Sequence, residues 1–237
     1  MHSPFVFDLV TKCFYDKTKF PEYQTLKDYR NSLLVNKNTI EVTDFGAGSR
    51  VFKSNIRQIA KIAQTAGISP KRAELLFRIV NYFQPETILE IGTSLGLATS
   101  ALSLGNKNGK ITTLEGCPNT MSIAKNQYQL QNLNNIEFIN TEFSSYLKKL
   151  PTSSFQLIYF DGNHSQKATL EYFELLLPTI TNDSVWIFDD IHWSAEMENT
   201  WEIIKKHPKV KVTIDTFQWG IVFFRAEQEK EHFVIRV

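Results

Sequence analysis

The sequence predicts an α/β protein: a mostly parallel seven-stranded sheet with helices on both faces, preceded by a largely helical extension. Three observations predict it. From Ile88 onward, short apolar runs alternate with helical stretches, the pattern of a parallel sheet covered on both sides. The first run, Thr87 to Ile91, turns through Gly92-Thr93-Ser94-Leu95-Gly96 and continues from Leu97 as a helix of small residues. Residues 1–70 show helical stripes instead, which divides the chain into an N-terminal extension (1–70) and a main domain (71–237).

Composition narrows the class. The chain of 237 residues is 42% apolar and 22% charged, an ordinary balance for a globular protein. A net charge of +1 provides no global field to draw it to nucleic acid or an anionic membrane. Cys13 and Cys117 lie far apart without a C-x-x-C. They offer neither a metal knuckle nor a disulfide framework, which fits the reducing cytoplasm. The start, HSPFVFDLV, lacks a basic opening, a long apolar centre and a cleavage site, so it does not read as a signal peptide. No run reaches membrane-spanning length.

In chain order, Ser3 as N-cap and Pro4 at N1 open a helix to Tyr15, with Phe5, Leu9 and Cys13 on one face. A second helix starts at Pro21 and carries Tyr23, Leu26, Arg30, Leu33 and Leu34. Both stripes must be buried, against the main domain or against a second copy in a homodimer. The segment from Asp44 to Ser49 is another glycine-containing loop, after the apolar stretch Thr39 to Val42. Val51 to Ala63 then reads as helix, and no strand ending in an acid precedes the next helix, Pro70 to Tyr82. This loop therefore lacks a βαβ unit and is either a tight structural turn or a lid over a substrate, with Arg50, Lys53 and Arg57 near it.

The main domain follows. Strands run over Thr87–Ile91, Lys110–Leu114, Ile136–Ile139, Phe155–Phe160, Val185–Phe188, Val210–Ile214 and Gly220–Arg225. Helices are expected over Pro118–Asn132, Gln166–Leu177 and Ala195–Lys206. A strand passing through glycines into a helix lets bare backbone approach a nucleotide-like ligand. The second strand ends in Glu115, nineteen positions beyond Gly96, where an acid can grip a ribose diol. The fingerprint is E-x-G-x-x-x-G rather than G-x-G-x-x-G, with Glu90 at the strand tip. A carboxylate there repels a pyrophosphate and suits a cationic ligand. S-adenosylmethionine, with its sulfonium and ammonium and no phosphate, fits better than NAD.

The segments ILEIGTSLGLAT, TTLEG, IYFDGNHS and WIFDDIHW together resemble class I S-adenosylmethionine-dependent methyltransferases, near the catechol and caffeoyl-coenzyme A O-methyltransferase group. The resemblance spans roughly Lys71 to Val237 and leaves the first 70 residues unmatched. It implies a Rossmann-like fold whose last strand inserts antiparallel beside the fifth. It also implies methyl transfer to a hydroxyl of a small molecule, with transfer to nitrogen or to a macromolecule as the alternative. An NAD-type oxidoreductase or a non-catalytic binding module is the competing reading. The cofactor contacts implied are Glu90, Gly92, Thr93, Ser94, Gly96, Glu115, Gly116, Phe143, Ser144 and Asp161.

The reaction centre is expected where carboxylates crowd the strand ends. Asp161, Asp189 and Asp190 repel one another there unless a positive group intervenes. The catechol-type enzymes hold a magnesium-class ion with an Asp after the fourth strand and an Asp-Asn pair after the fifth. This chain has Asp161 and Asp189 at matching positions and Asp190 in place of the Asn, so Mg²⁺ or another divalent cation is one candidate. His164 occupies the offset of a basic lysine in that group. It is a candidate general base beside Asp161, with loop ordering and metal ligation as its other readings. His192 and Trp193 are expected to line the acceptor pocket, and Trp193 reads equally as packing at a helix start.

Overall fold

A computed structural model describes residues 3–43, 52–131, 133–150 and 155–237. The glycine-containing loop from Asp44 to Ser49 falls outside the described residues.

Helix α1 (Pro4–Leu9) starts as its sequence demands: the Ser3 side chain accepts from the Val6 amide and Pro4 takes the first turn. It runs on through a π-helical turn, Val10–Phe14, into which Cys13 is buried. Helix α2 (Glu22–Leu34) buries Leu26, Tyr29 and Leu33. Strands β1 (Thr39–Glu41) and β2 (Ile56–Gln58) form an antiparallel hairpin of their own. This corrects the helix expected over 51–63: backbone pairing with Thr39–Glu41 takes Ile56–Gln58, and helix α3 is confined to Ile59–Thr65. Pairing across the hairpin overrides a helical pattern too short to hold on its own.

Helix α4 (Pro70–Phe83), capped by the Ser69 side chain, covers the sheet with Leu75, Leu76, Ile79 and Val80. The sheet is built from β3 (Thr87–Ile91), β4 (Lys110–Glu115), β5 (Ile136–Asn140), β6 (Leu157–Phe160), β7 (Val185–Asp189), β8 (Val212–Asp215), β9 (Trp219–Phe223) and β10 (Glu231–Val234). The crossovers contain α5 (Leu97–Gly105), α6 (Pro118–Leu130), α7 (Phe143–Leu147), α8 (Gln166–Leu176) and α9 (Ala195–Lys206). Strand order is β10-β8-β9-β7-β6-β3-β4-β5. The order reverses at β3, whose neighbours are β4 on one side and β6 on the other, so a crevice opens at the strand ends there.

Strand β9 lies antiparallel between β7 and β8, as the resemblance implies. The sheet has one strand more than the seven expected: β10 pairs parallel with β8 at the edge. Its residues Glu231-His232-Phe233-Val234 alternate in burial and carry no long apolar run, which hides the strand in the sequence. Apolar side chains of the first helices share one core with the sheet: Val6, Leu9 and Leu33 join Leu76, Val212, Ile221 and Phe223. Leu9, Cys13, Leu26 and Leu33 of these stripes are thus buried within that shared core, while Leu34 is exposed.

Candidate active site at the strand ends

Strand β3 delivers the glycine turn. Gly92 at φ +105° and Gly96 at φ +80° adopt backbone that side chains disfavour. The amides of Gly92 and Thr93 both donate to the Leu114 carbonyl, which pins the turn to β4. A Cβ on Gly92 would sit 2.3 Å from the Asp161 carbonyl oxygen, so this glycine permits the close approach of the turns after β3 and β6. Gly96 faces the Tyr128 ring instead of the cavity. Its carbonyl accepts from the Tyr128 hydroxyl, and that of Leu95 accepts from the Tyr29 hydroxyl. Two buried tyrosines, one from the N-terminal extension, therefore hold the turn from behind.

Glu90 lies beneath the turn, fully buried and away from the cavity wall. Its Oε2 accepts from Thr99 and Thr113 at 2.5 Å each, while Oε1 has no partner. Burial pushes its pKa up to about 8 against those two hydroxyl bonds, with the charges of Asp161 and Glu115 adding to the rise. That rise disfavours its charged form, so other groups contribute to the sign selection expected of it. Glu115 is one. Its Oε2 accepts from the Ser94 amide at 2.7 Å and its Oε1 from the Cys117 amide at 2.8 Å. The turn amide that a pyrophosphate would need is thus already taken by a carboxylate.

A cavity of about 410 Å³ opens above these groups. Gly92, Ser94, Glu115, Gly116, Phe143 and Asp161 line it, as do His164, Asp189, Asp190 and Trp193. Glu90, Thr93, Gly96, Ser144 and His192 do not. Thr93 is turned inward, its hydroxyl 2.5 Å from that of Thr113. Ser144 lies in the first turn of α7, where its amide donates to the Glu142 cap. His192 is held away between Asp215 (3.0 Å) and Glu198 (3.3 Å) and stacks on Phe217. This corrects its expected place in the acceptor pocket: two carboxylates downstream claim the ring. The sequence reading passed over Gly162, Asn163, Tyr172 and Arg72, which all line the cavity. Phe143 packs over Gly162, where a Cβ would meet its ring at 2.6 Å, and meets Tyr172 edge-on. The extension supplies Val42, Thr43, Phe52 and Arg57, with the Arg57 guanidinium 4.9 Å from the Phe52 ring centroid.

Backbone strain concentrates here. Among the described residues five non-glycines have positive φ, and Ser94, Asn163 and Asp190 of these line the cavity. Such conformations persist where the surroundings impose them and cluster at working sites.

The charged end of the cavity holds Asp161, His164, Asp189, Asp190 and Arg72. His164 Nε2 is 3.5 Å from Asp161 Oδ1. Burial disfavours the imidazolium, but the Asp161 hydrogen bond and the charges of Asp161, Asp190 and Asp189 outweigh it and raise its pKa to about 9. Burial likewise raises Asp161, against the opposing pull of His164. Asp189 is pushed up to about 6 by burial and by Asp161, with Arg72 opposing. Three donors hold its oxygens: Oδ1 accepts from Arg72 Nη1 at 3.1 Å and from the Asp190 amide at 2.8 Å, and Oδ2 accepts from the Tyr159 hydroxyl at 2.9 Å. Among the described residues no three His, Cys, Asp or Glu side chains come together as a metal site. Three donors on Asp189, one of them a guanidinium, do not fit a divalent ion at this strand end.

The same cavity fits S-adenosylmethionine. Glu115 lines the cavity at the tip of β4, where a ribose diol would be gripped, the acidic lining suits a cation, and the Ser94 amide of the turn is held by a carboxylate. Residues 89–191 match the family model described as a methyltransferase domain. Three solved structures share the architecture. The S-adenosylhomocysteine-bound methyltransferase PaMTH1 of Podospora anserina aligns at TM-score 0.66 and 13% identity, over 95% of this chain and 97% of that one. The O-methyltransferase TomG of Streptomyces achromogenes, bound to S-adenosylmethionine and involved in tomaymycin synthesis, aligns at 0.62 and 14%, over 93% and 95%. An O-methyltransferase of Bacillus cereus in complex with S-adenosylhomocysteine aligns at 0.60 and 19%, over 92% and 96%. A search of curated protein sequences finds no match. Residues 89–191 thus match a methyltransferase domain, and the chain as a whole has the fold of these methyltransferase structures, with residues of its N-terminal segment in the cavity wall.

Proposed function

We propose that this enzyme transfers a methyl group from S-adenosylmethionine to a hydroxyl oxygen of a small acceptor. The observation that carries the reading is Glu115. Its carboxylate, fixed by the Ser94 and Cys117 amides, faces the cavity at the tip of the second parallel strand beside the glycine turn. Gly92, Ser94 and Gly116 would flank the nucleoside, Phe143 would cover the adenine, and Asp161 would stand between cofactor and acceptor, since all five line this cavity. Bound there, S-adenosylmethionine supplies an already activated methyl group. The chain must orient the acceptor and remove its proton, and orientation alone is worth about 7–11 kcal/mol.

His164, oriented by Asp161, is the group we assign to the proton. Trp193 and the Phe52–Arg57 pair lie on the same cavity and bound the acceptor end. A cavity of about 410 Å³ supports a small acceptor rather than a macromolecular one. Two free, buried thiols, Cys13 and Cys117, agree with a cytoplasmic setting. The oxygen-ligated divalent ion that the carboxylates suggest is disfavoured by the donors already on Asp189. Calorimetry with S-adenosylhomocysteine and NAD⁺ side by side tests the cofactor. Saturable binding of the first and none of the second is expected, and the reverse overturns the proposal. A panel of hydroxylated aromatic acceptors, followed by release of S-adenosylhomocysteine, tests the reaction.

A further inference from the structure

We infer that Arg72 supplies the fixed positive charge of this reaction centre, so that methyl transfer proceeds without a divalent metal and the guanidinium steadies the acceptor oxygen. The inference rests on the methyl transfer proposed above and adds the means by which that site handles charge.

Arg72 stands in the first turn of α4, where the helix dipole disfavours a cation. Its guanidinium crosses to β7, 117 positions away, and meets Asp189 at 3.1 Å. The pair shares the charged end of the cavity with Asp161, Asp190 and His164. Three carboxylates there need a positive partner, and Arg72 meets that need on the carboxylate that is most buried by side chain. Tyr159, beneath it, fills the other oxygen of Asp189. A metal taking this carboxylate as ligand would compete with both donors and stand against the charge of the guanidinium.

Asp189 takes one of the five N–H groups of Arg72, and no other side-chain hydrogen bond of Arg72 is present among the described residues. The side chain is a quarter exposed and lines the cavity. Arg72 thus keeps donors for a ligand oxygen on the wall that also carries His164. In the step itself the acceptor O–H gives its proton to His164 and the oxygen forms the new O–CH₃ bond. The C–S bond breaks with its electron pair going to sulfur, and the sulfonium becomes a neutral thioether. Negative charge gathers transiently on the acceptor oxygen, where a fixed guanidinium stabilises it.

The test begins with the unmodified protein, with neither cofactor nor acceptor. Titration with Mn²⁺, read by the electron paramagnetic resonance of the free ion, should show no binding, and the initial methyl-transfer rate should be equal in EDTA and in Mg²⁺. Stoichiometric Mn²⁺ binding that Asp189→Asn removes, or a rate lost in EDTA and restored by Mg²⁺, overturns the inference. Arg72→Met should lower kcat by about a hundredfold while S-adenosylhomocysteine affinity stays within about threefold. Arg72→Lys, which keeps the charge, should recover part of that loss. A fully active Arg72→Met also overturns the inference. Should Arg72→Met fail to fold, as circular dichroism would reveal, the Mn²⁺ titration of the parent and Arg72→Lys decide. Failure to bind S-adenosylhomocysteine would defeat the proposed function, whereas the Mn²⁺ result stands without turnover, so the two failures are distinguishable.

Discussion

The amide of Ser94 donates to Glu115 Oε2 at 2.7 Å, tying the glycine turn after one strand to the tip of the next. The turn sits at positive φ at Ser94, and the carboxylate holds it there. One bond therefore shapes the loop, closes its anion cradle and aims the acid at the cavity.

The first prediction follows from that bond. Glu115→Ala removes the ribose acceptor and leaves the Ser94 and Cys117 amides without their partner. Affinity for S-adenosylhomocysteine should fall by about 1.5–3 kcal/mol, the range for hydrogen bonds to a charged group. Calorimetry reads this directly. An affinity equal to that of the parent would mean that the nucleoside lies elsewhere.

Much of the cavity lining is legible in the sequence because it lies at strand ends, and strand ends are marked by a change from apolar to polar sequence. Thr87–Ile91 with Gly92, Lys110–Leu114 with Glu115, and Val185–Phe188 with Asp189 were read in this way. What was not legible depends on contacts between distant segments. The bond from Arg72 to Asp189 spans 117 positions, and nothing local to Arg72 announces it. Glu90 looked like a charged tip residue, yet the pleat turns it inward onto Thr99 and Thr113. His192 follows Asp190 and Ile191 directly, but Asp215 and Glu198 claim its ring from later elements. The hairpin of β1 and β2 and the edge strand β10 are too short for periodicity to reveal.

Gly92 gives a second prediction. Its φ of +105° is open to glycine, and an added Cβ would lie 2.3 Å from the Asp161 carbonyl oxygen. Gly92→Ala should destabilise the fold by about 1–3 kcal/mol through backbone strain, and the clash should add to this. The block is against neighbouring backbone and not against a ligand, so urea midpoints should fall as cofactor affinity falls. A variant of parental stability would contradict the close approach of β3 and the Asp161 turn.

A third prediction concerns the N-terminal extension. The Tyr29 hydroxyl donates to the carbonyl of Leu95, and Tyr29 is 2% exposed. Tyr29→Phe leaves that buried carbonyl without its donor at nearly unchanged volume, a cost of about 1–3 kcal/mol. Because the lost bond restrains the glycine turn, the variant should also bind S-adenosylhomocysteine more weakly, while Tyr23→Phe, remote from the turn, should not. Equal affinity in the two variants would make the tyrosine a packing residue alone.

The last prediction uses the pairing of His164 with Asp161. Its folded pKa of about 9 lies above the ordinary histidine value of 6.5, because Asp161, Asp190 and Asp189 favour the imidazolium more than burial opposes it. A raised pKa stabilises the fold below pH 6.5, and this contribution is lost as pH rises through about 9. The catalytic consequence has the opposite slope, since only neutral imidazole accepts a proton. Measured with S-adenosylmethionine varied at saturating acceptor, which reports the cofactor-free enzyme, kcat/KM should climb with pH toward about 9. His164→Gln should flatten that limb and cost about 10²–10⁴-fold in rate. Asp161→Asn removes the hydrogen bond and the nearest negative charge, leaving burial to act with less opposition, so the limb should move to lower pH. Imidazole titration by NMR should track the same displacement. A limb that keeps its position in Asp161→Asn would assign it to another group and leave His164 outside the proton transfer.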